Sequence, residues 1–208
     1  MMTRFALAVA ALLIAAPLSA QAPANLHLRV DKSTSASDPD DTPDVVVTSE
    51  QGGTLIKTGP AVVAWNTANT ASGTYTLSGT FTLQAASDHV NYYGLVFGGS
   101  QLEGGQQSYL YFLVAQDGSF LVKHRMNDEM THDVIGRTPE AAVRKFEGTP
   151  SVNALQVRVG AQSTEFVVNG TVVHTMPRVP GLSTDGIWGV RVNHRLPGVL
   201  VTDLRVTE

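Results

Sequence analysis

The chain has 208 residues, a formal net charge of −4 and no cysteine. The missing thiol excludes disulfides, thiolate metal sites, a cysteine nucleophile and lipid attachment at a cysteine. The mild acidity, with no basic block anywhere, points away from nucleic acid and anionic membranes as partners.

Residues 1–20 read as a cleaved signal peptide. Arg4 precedes the apolar run Phe5 to Ala16, and Pro17-Leu18-Ser19-Ala20 supplies the small residues of a cleavage region. The run is shorter than a membrane span; an uncleaved anchor is the alternative. The expectation is an exported protein, periplasmic or extracellular and not a lipoprotein, with no membrane span in the mature chain. About 188 residues then remain. That suits one domain, able to bury roughly 70% of its unfolded surface without disulfides.

Residues 21–44 read as a linker and edge segment, and 45–208 as a single β-sandwich domain. Leu26 to Val30 alternates and suits an edge strand. The acidic loop after it carries Asp38, Asp40, Asp41 and Asp44. Oxygen-rich loops of this kind can hold calcium. This one lacks the turn glycine and terminal glutamate of an EF-hand loop, so it reads as a solvated linker. Calcium is the alternative, with Asp38, Asp40 and Asp41 as its candidate ligands.

From Val45 the chain is short β runs with turn punctuation. Thr74 to Gln84 alternates Tyr75, Leu77, Phe81 and Leu83 against threonines and Ser78, the pattern of an outer antiparallel strand with one wet face. Tyr92 to Phe97, then Tyr109 to Ala115, then Phe120 to Arg125 form three successive strands. The Gly-rich GGSQLEGGQQS segment between the first two reads as a mobile polar surface loop. Asp117-Gly118 reads as a two-residue type I′ turn. That register pairs Ala115 with Phe120, Leu113 with Val122, Tyr111 with His124 and Tyr109 with Met126, and puts the tyrosines and His124 on one face.

Thr138 to Gly148 is the only helix signal after the leader, with Thr138 as N-cap and Pro139 in the first turn. Val152 to Gly160 alternates again. Asn169-Gly170 closes a second two-residue hairpin, which pairs Val168 with Thr171 and Glu165 with His174 and accounts for the Asn-Gly-Thr triplet without glycosylation. Gly186 to Asn193 and Val199 to Val206 close the chain. The fold class is all-β, a two-sheet antiparallel sandwich with at most one short helix.

The order GLVFGG, YLYFLVAQDGSFLVKHR, EFVVNGTVVHT, DGIWGVRVN and VTDLRVTE resembles the concanavalin A-like lectin/glucanase superfamily. Within it, the chain is most similar to laminin-G-like domains and to the sandwich domain named for 3-keto-disaccharide hydrolases of exported bacterial proteins. The resemblance covers residues 55 to 208. It implies a jelly roll with one concave sheet and carbohydrate as the usual ligand class; fold alone does not transfer function.

The residues offer little catalytic chemistry. No strand carries the Glu-x-Asp-x-x-Glu pattern that a glucanase of this superfamily would show, although retaining hydrolysis needs two carboxyls about 5–5.5 Å apart. Asp128, Glu129 and His132, in a loop after the central hairpin, are the remaining catalytic candidates. Gly98 to Leu102 fails the Gly-x-Ser-x-Gly pattern at its last position. Six histidines stand outside close ligand spacings. Sugars are held by aromatic faces and planar hydrogen-bonding groups. Tyr109, Tyr111, His124, Arg125, Asn193 and Arg195 therefore form the candidate ligand surface, at the ends of two strands that could share one rim. The alternative is that the tyrosines fill the core and the basic residues are solvated strand ends. Three functions stay open: a module binding a carbohydrate or cell-surface polymer, a hydrolase of a glycoside or keto-sugar derivative, and an interaction domain without a small ligand.

Overall fold

A computed structural model describes residues 25–31 and 44–208. The leader and the Asp38, Asp40 and Asp41 candidates lie outside the described residues. Fourteen strands form two antiparallel sheets of seven, with no helix among the described residues.

Sheet A takes the order β1 (His27–Asp31), β4 (Ala61–Ala71), β13 (Gly186–Val192), β6 (Tyr92–Ser100), β7 (Ser108–Ala115), β8 (Ser119–Met126), β9 (Met130–Pro139). Sheet B runs β12 (Thr171–Pro177), β11 (Ser163–Val168), β10 (Ser151–Val159), β5 (Tyr75–Leu83), β14 (Val199–Thr207), β3 (Gly53–Lys57), β2 (Val46–Glu50). Strands adjacent in space are often distant in sequence, as in a jelly roll. The alternating runs decide which side chains point inward. Leu77, Phe81 and Leu83 of β5 and Leu155, Val157 and Val159 of β10 meet Tyr93, Leu95, Phe97, Phe112 and Val122 of sheet A in one core. β5 lies at the centre of sheet B, not at its margin, yet it keeps one wet face because that sheet's outer side is open.

The two hairpins turn differently. Asn169 (φ 50°) and Gly170 (φ 86°) both adopt the left-handed conformation of a two-residue loop, and Val168 pairs with Thr171 as expected. A bulge between Phe166 and Val167 then moves Glu165 opposite Thr175, so the expected Glu165–His174 pair does not form. Glu165 meets Arg158 at 3.6 Å instead. The Asn169 amide donates to the Ala142 carbonyl (2.8 Å) and to Asn153 Oδ1 (2.9 Å), which gives the asparagine a structural role.

The other turn corrects the predicted register. Only Gly118 (φ 84°) is left-handed there. The Asp117 carboxylate turns back to accept the Ser119 N–H (3.1 Å) and O–H (2.6 Å), and the Gly118 N–H donates to the Ala115 carbonyl (3.1 Å). The loop holds three residues, and Tyr111 pairs with Lys123, Tyr109 with Arg125 and Leu110 with His124.

The predicted helix over Thr138 to Gly148 does not form. Thr138 and Pro139 finish β9, and the next residues make one turn, in which the Val143 N–H donates to the Glu140 carbonyl (3.1 Å), while other N–H groups of the segment donate outside it. The Glu140 N–H donates to the Gly118 carbonyl, that of Phe146 to the Gln116 carbonyl and that of Arg144 to Asn153 Oδ1. Tertiary partners at the β7–β8 turn and on β10 outcompete a single helical turn, which is costly to nucleate. The sequence read as a loop after the central hairpin is also partly strand, since Met130 already begins β9.

Candidate functional site

The outer face of sheet A carries a second apolar cluster: Val63, Trp65, Tyr92, Val96, Leu102, Tyr109, Tyr111, Leu113, Ala115 and Leu121. A one-residue shift of register exchanges the faces of a strand. Lys123 and Arg125 therefore stand with Tyr109 and Tyr111, while His124 lies on the inner side, bonded to the Ser108 hydroxyl (2.9 Å) and opposite His132. Burial, and then the neighbouring His132, push the His124 pKa down. The predicted trio of Tyr109, Tyr111 and His124 is not assembled.

Both tyrosines are buried, Tyr109 at 0% and Tyr111 at 6% exposure. Arg191 of β13 covers them. Its guanidinium donates to Tyr109 Oη at 2.9 Å and lies 5.4 Å from the Tyr111 ring centre. Desolvation opposes its charge, but Tyr109, Asp31 and Tyr111 around it outweigh that and hold its pKa above the usual value.

One carboxylate organises the basic groups. Asp31 of β1 accepts from Arg191 at 2.9 Å and from Arg29 at 3.2 Å, and lies 3.8 Å from Arg125. Arg125 also donates to the Asn127 carbonyl (3.1 Å) and the Asp128 carbonyl (2.9 Å). β1 and β8 are five strands apart in sheet A, roughly 24 Å in a flat sheet. Two side chains cannot cross that distance, so the sheet coils strongly toward this face.

The 101–107 loop closes over one end. Its Leu102 is buried in the outer cluster, Arg29 donates to the Gly104 carbonyl (2.9 Å), and His27 meets Glu103 at 2.9 Å. Gln107 is fully buried and donates to Asp128, which also pairs with Arg29. The segment expected to be a mobile surface loop is thus pinned by an apolar anchor and by contacts with His27, Arg29 and Asp128. Its first glycines, Gly98 and Gly99, belong to β6.

Asn193 joins this site by accepting from Arg191 Nε at 3.0 Å. Arg195 does not. It pairs with Asp88 in a separate group, where Asp88 meets His89 (2.9 Å) and the Nε2 atoms of His89 and His194 stand 2.8 Å apart. Asp128 serves the arginine network, Glu129 is an exposed turn residue, and no hydrogen bond or ion pair joins either to His132. Among the described residues, no group of three or more His, Asp or Glu could hold a metal ion. Arg29, Asp31 and Arg191 were not picked out by sequence reasoning, and Lys123 stood out only as part of the polar run Lys123-His124-Arg125 at a strand end. The alternation of β13, with Arg191 two positions before Asn193, was the signal available for one of them.

A scan against protein-family models and a search of curated protein sequences gave no match. Solved structures do match. The carbohydrate-binding module CBM66 from Bacillus subtilis has a TM-score of 0.59 at 8% identity, over 79% of this chain and 92% of that one. The carbohydrate recognition domain of Emp47p has a TM-score of 0.53 at 11% identity, over 89% of each chain. Alginate lyase A1-II′, a member of polysaccharide lyase family-7, has a TM-score of 0.50 at 12% identity, over 77% of this chain and 82% of that one. At such identities the likeness is one of architecture, and it agrees with the strand order: the chain folds as a two-sheet antiparallel jelly-roll sandwich.

Proposed function

We propose that the protein is an exported, non-catalytic sandwich module that binds a carbohydrate or cell-surface polymer on the outer face of sheet A. The observation that carries this reading is the composition of that coiled face. Lys123, Arg125 and Asn193, all partly exposed, border an aromatic bed of Tyr92, Tyr109 and Tyr111. Tyr109 and Tyr111 are buried beneath Arg191 and form the floor, so sugar hydroxyls would meet the planar and cationic donors at the rim. Two of the similar structures carry carbohydrate binding or recognition in their names, which supports the ligand class. The leader-like residues 1–20 support export.

A thermal-shift screen of the purified protein against a glycan panel tests the proposal. A ligand at 100 times its dissociation constant stabilises by about 2.7 kcal/mol, and Lys123→Ala should abolish or weaken the shift while leaving the melting temperature of the free protein nearly unchanged. One observation favours the interaction module without a small ligand: Tyr109 and Tyr111 lie beneath Arg191. A well-folded protein that shifts with no glycan supports that second reading and removes the first for the sugars tried.

A further inference from the structure

Three guanidiniums converge on one carboxylate in this site. Arg191 and Arg29 are within hydrogen-bond distance of Asp31, and Arg125 reaches it only at 3.8 Å. The second carboxylate, Asp128, bonds to Arg29 and Gln107 and offers Arg125 only its backbone carbonyl. Among the described residues, Arg125 and Arg191 therefore share what remains of a single negative charge. Their side chains are only 18% and 9% exposed, so water screens the excess poorly. Lys123, two residues from Arg125 on the same face, adds an ammonium that is 31% exposed and is held by Asp133 at 2.9 Å. This cationic concentration stands on a chain whose net charge is −4, so the overall charge does not explain it.

We infer that the ligand of this face is an anionic glycan, a sugar carrying a carboxylate or a sulfate, and that Arg125 and Lys123 receive the anionic group. The inference rests on the reading that this face binds sugar and names the ligand class within it. Asp31 shows the stereochemistry in the protein itself, with guanidinium donors already gathered around a carboxylate. Arginine presents a planar fork that matches two oxygens of a carboxylate or sulfate at once. A neutral sugar offers no charge to offset the surplus, whereas an anion placed against Arg125 completes an ion pair that Asp31 satisfies poorly. Arg191, deeper and bonded to Tyr109 and Asn193, is a positioning residue that holds Asp31 and the aromatic bed in place.

The test is calorimetric titration of the purified protein with length-matched oligosaccharides: neutral oligogalactose, oligogalacturonate and sulfated oligogalactose, each at low and at raised salt. The expected result is at least about tenfold tighter binding of an anionic series than of the neutral one, weakened by added salt. Arg125→Gln and Lys123→Gln should each remove most of that advantage, so that in the same variant the anionic series falls toward the affinity of the neutral one. Lys123→Gln is the variant that leaves the buried network untouched. A response to the uronate or to the sulfated series alone supports the inference and names the anion. Neutral sugar bound as tightly as both anionic series overturns the inference and leaves sugar binding intact. Binding of none of the three overturns both, and anionic binding unchanged in the two variants overturns the site.

Discussion

The two outer faces of the sandwich are built to different rules. On sheet B, the outward residues of β5 and β10 include Thr76, Ser78, Thr80, Thr82, Gln156 and Arg158, short or solvated groups that meet each other across an open surface. On sheet A, the outward residues are large and apolar at the centre and cationic at the rim, and a loop and an ion network close over them. A sheet in a sandwich needs only one apolar face to fold. Sheet B does only that. Sheet A covers a second face with buried arginines, a costly arrangement that the core does not require. The difference marks sheet A as the face whose construction packing alone does not require.

Substitutions can break or sharpen this contrast. The largest effect is expected for Arg191→Ala, which leaves Asp31 without its shortest partner and uncovers the tyrosines. Removing one member of a buried pair costs about 3–5 kcal/mol, measurable by urea denaturation. A loss below about 1 kcal/mol would mean that the network behaves like an ordinary surface pair. Leu102→Ala should cost about 2–3 kcal/mol and raise amide hydrogen exchange in 101–107, since that side chain anchors the loop at 2% exposure. Unchanged exchange there would show that the loop is held by its polar contacts alone.

A smaller effect belongs to pH. The His124 pKa is depressed by burial and by His132. The unfolded chain therefore takes up this proton first as pH falls, and the associated stability is present above the usual histidine pKa and lost as pH drops through the folded value. Melting temperatures measured from neutral to mildly acidic pH should fall less steeply in His124→Asn than in the native protein. Identical slopes would contradict the assignment. The smallest effect is expected on sheet B, where Arg158→Ala breaks a pair about 40% exposed and should change stability by no more than about 0.2–1 kcal/mol.

The comparison of the two hairpins explains how far the sequence could be read. Asn169-Gly170 and Asp117-Gly118 carry the same turn signal, and both do mark turns. The first keeps its predicted loop because both residues accept left-handed backbone. In the second, the Asp117 carboxylate caps Ser119 and pairs with Arg137, and the loop gains a residue. One residue was enough to carry His124 off the candidate face and bring Lys123 onto it. The strand runs and the sandwich class were legible from alternation, because burial of one face imposes that period directly. The loop over 101–107 was hidden because a single leucine among glycines and glutamines anchors it. The absent helix at 138–148 was hidden because its backbone partners lie far away in sequence, on β10 and at the β7–β8 turn. The site itself depends on Asp31 and Arg191, separated by 160 positions, and no local pattern joins them.

The most direct measurement is amide chemical-shift mapping with the glycan that gives the largest thermal shift. The account predicts perturbations concentrated at Lys123, Arg125, Asn193 and the 101–107 loop, with Thr76 to Thr82 and Gln156 unmoved. Perturbations centred on those sheet B residues, with the sheet A face silent, would contradict it.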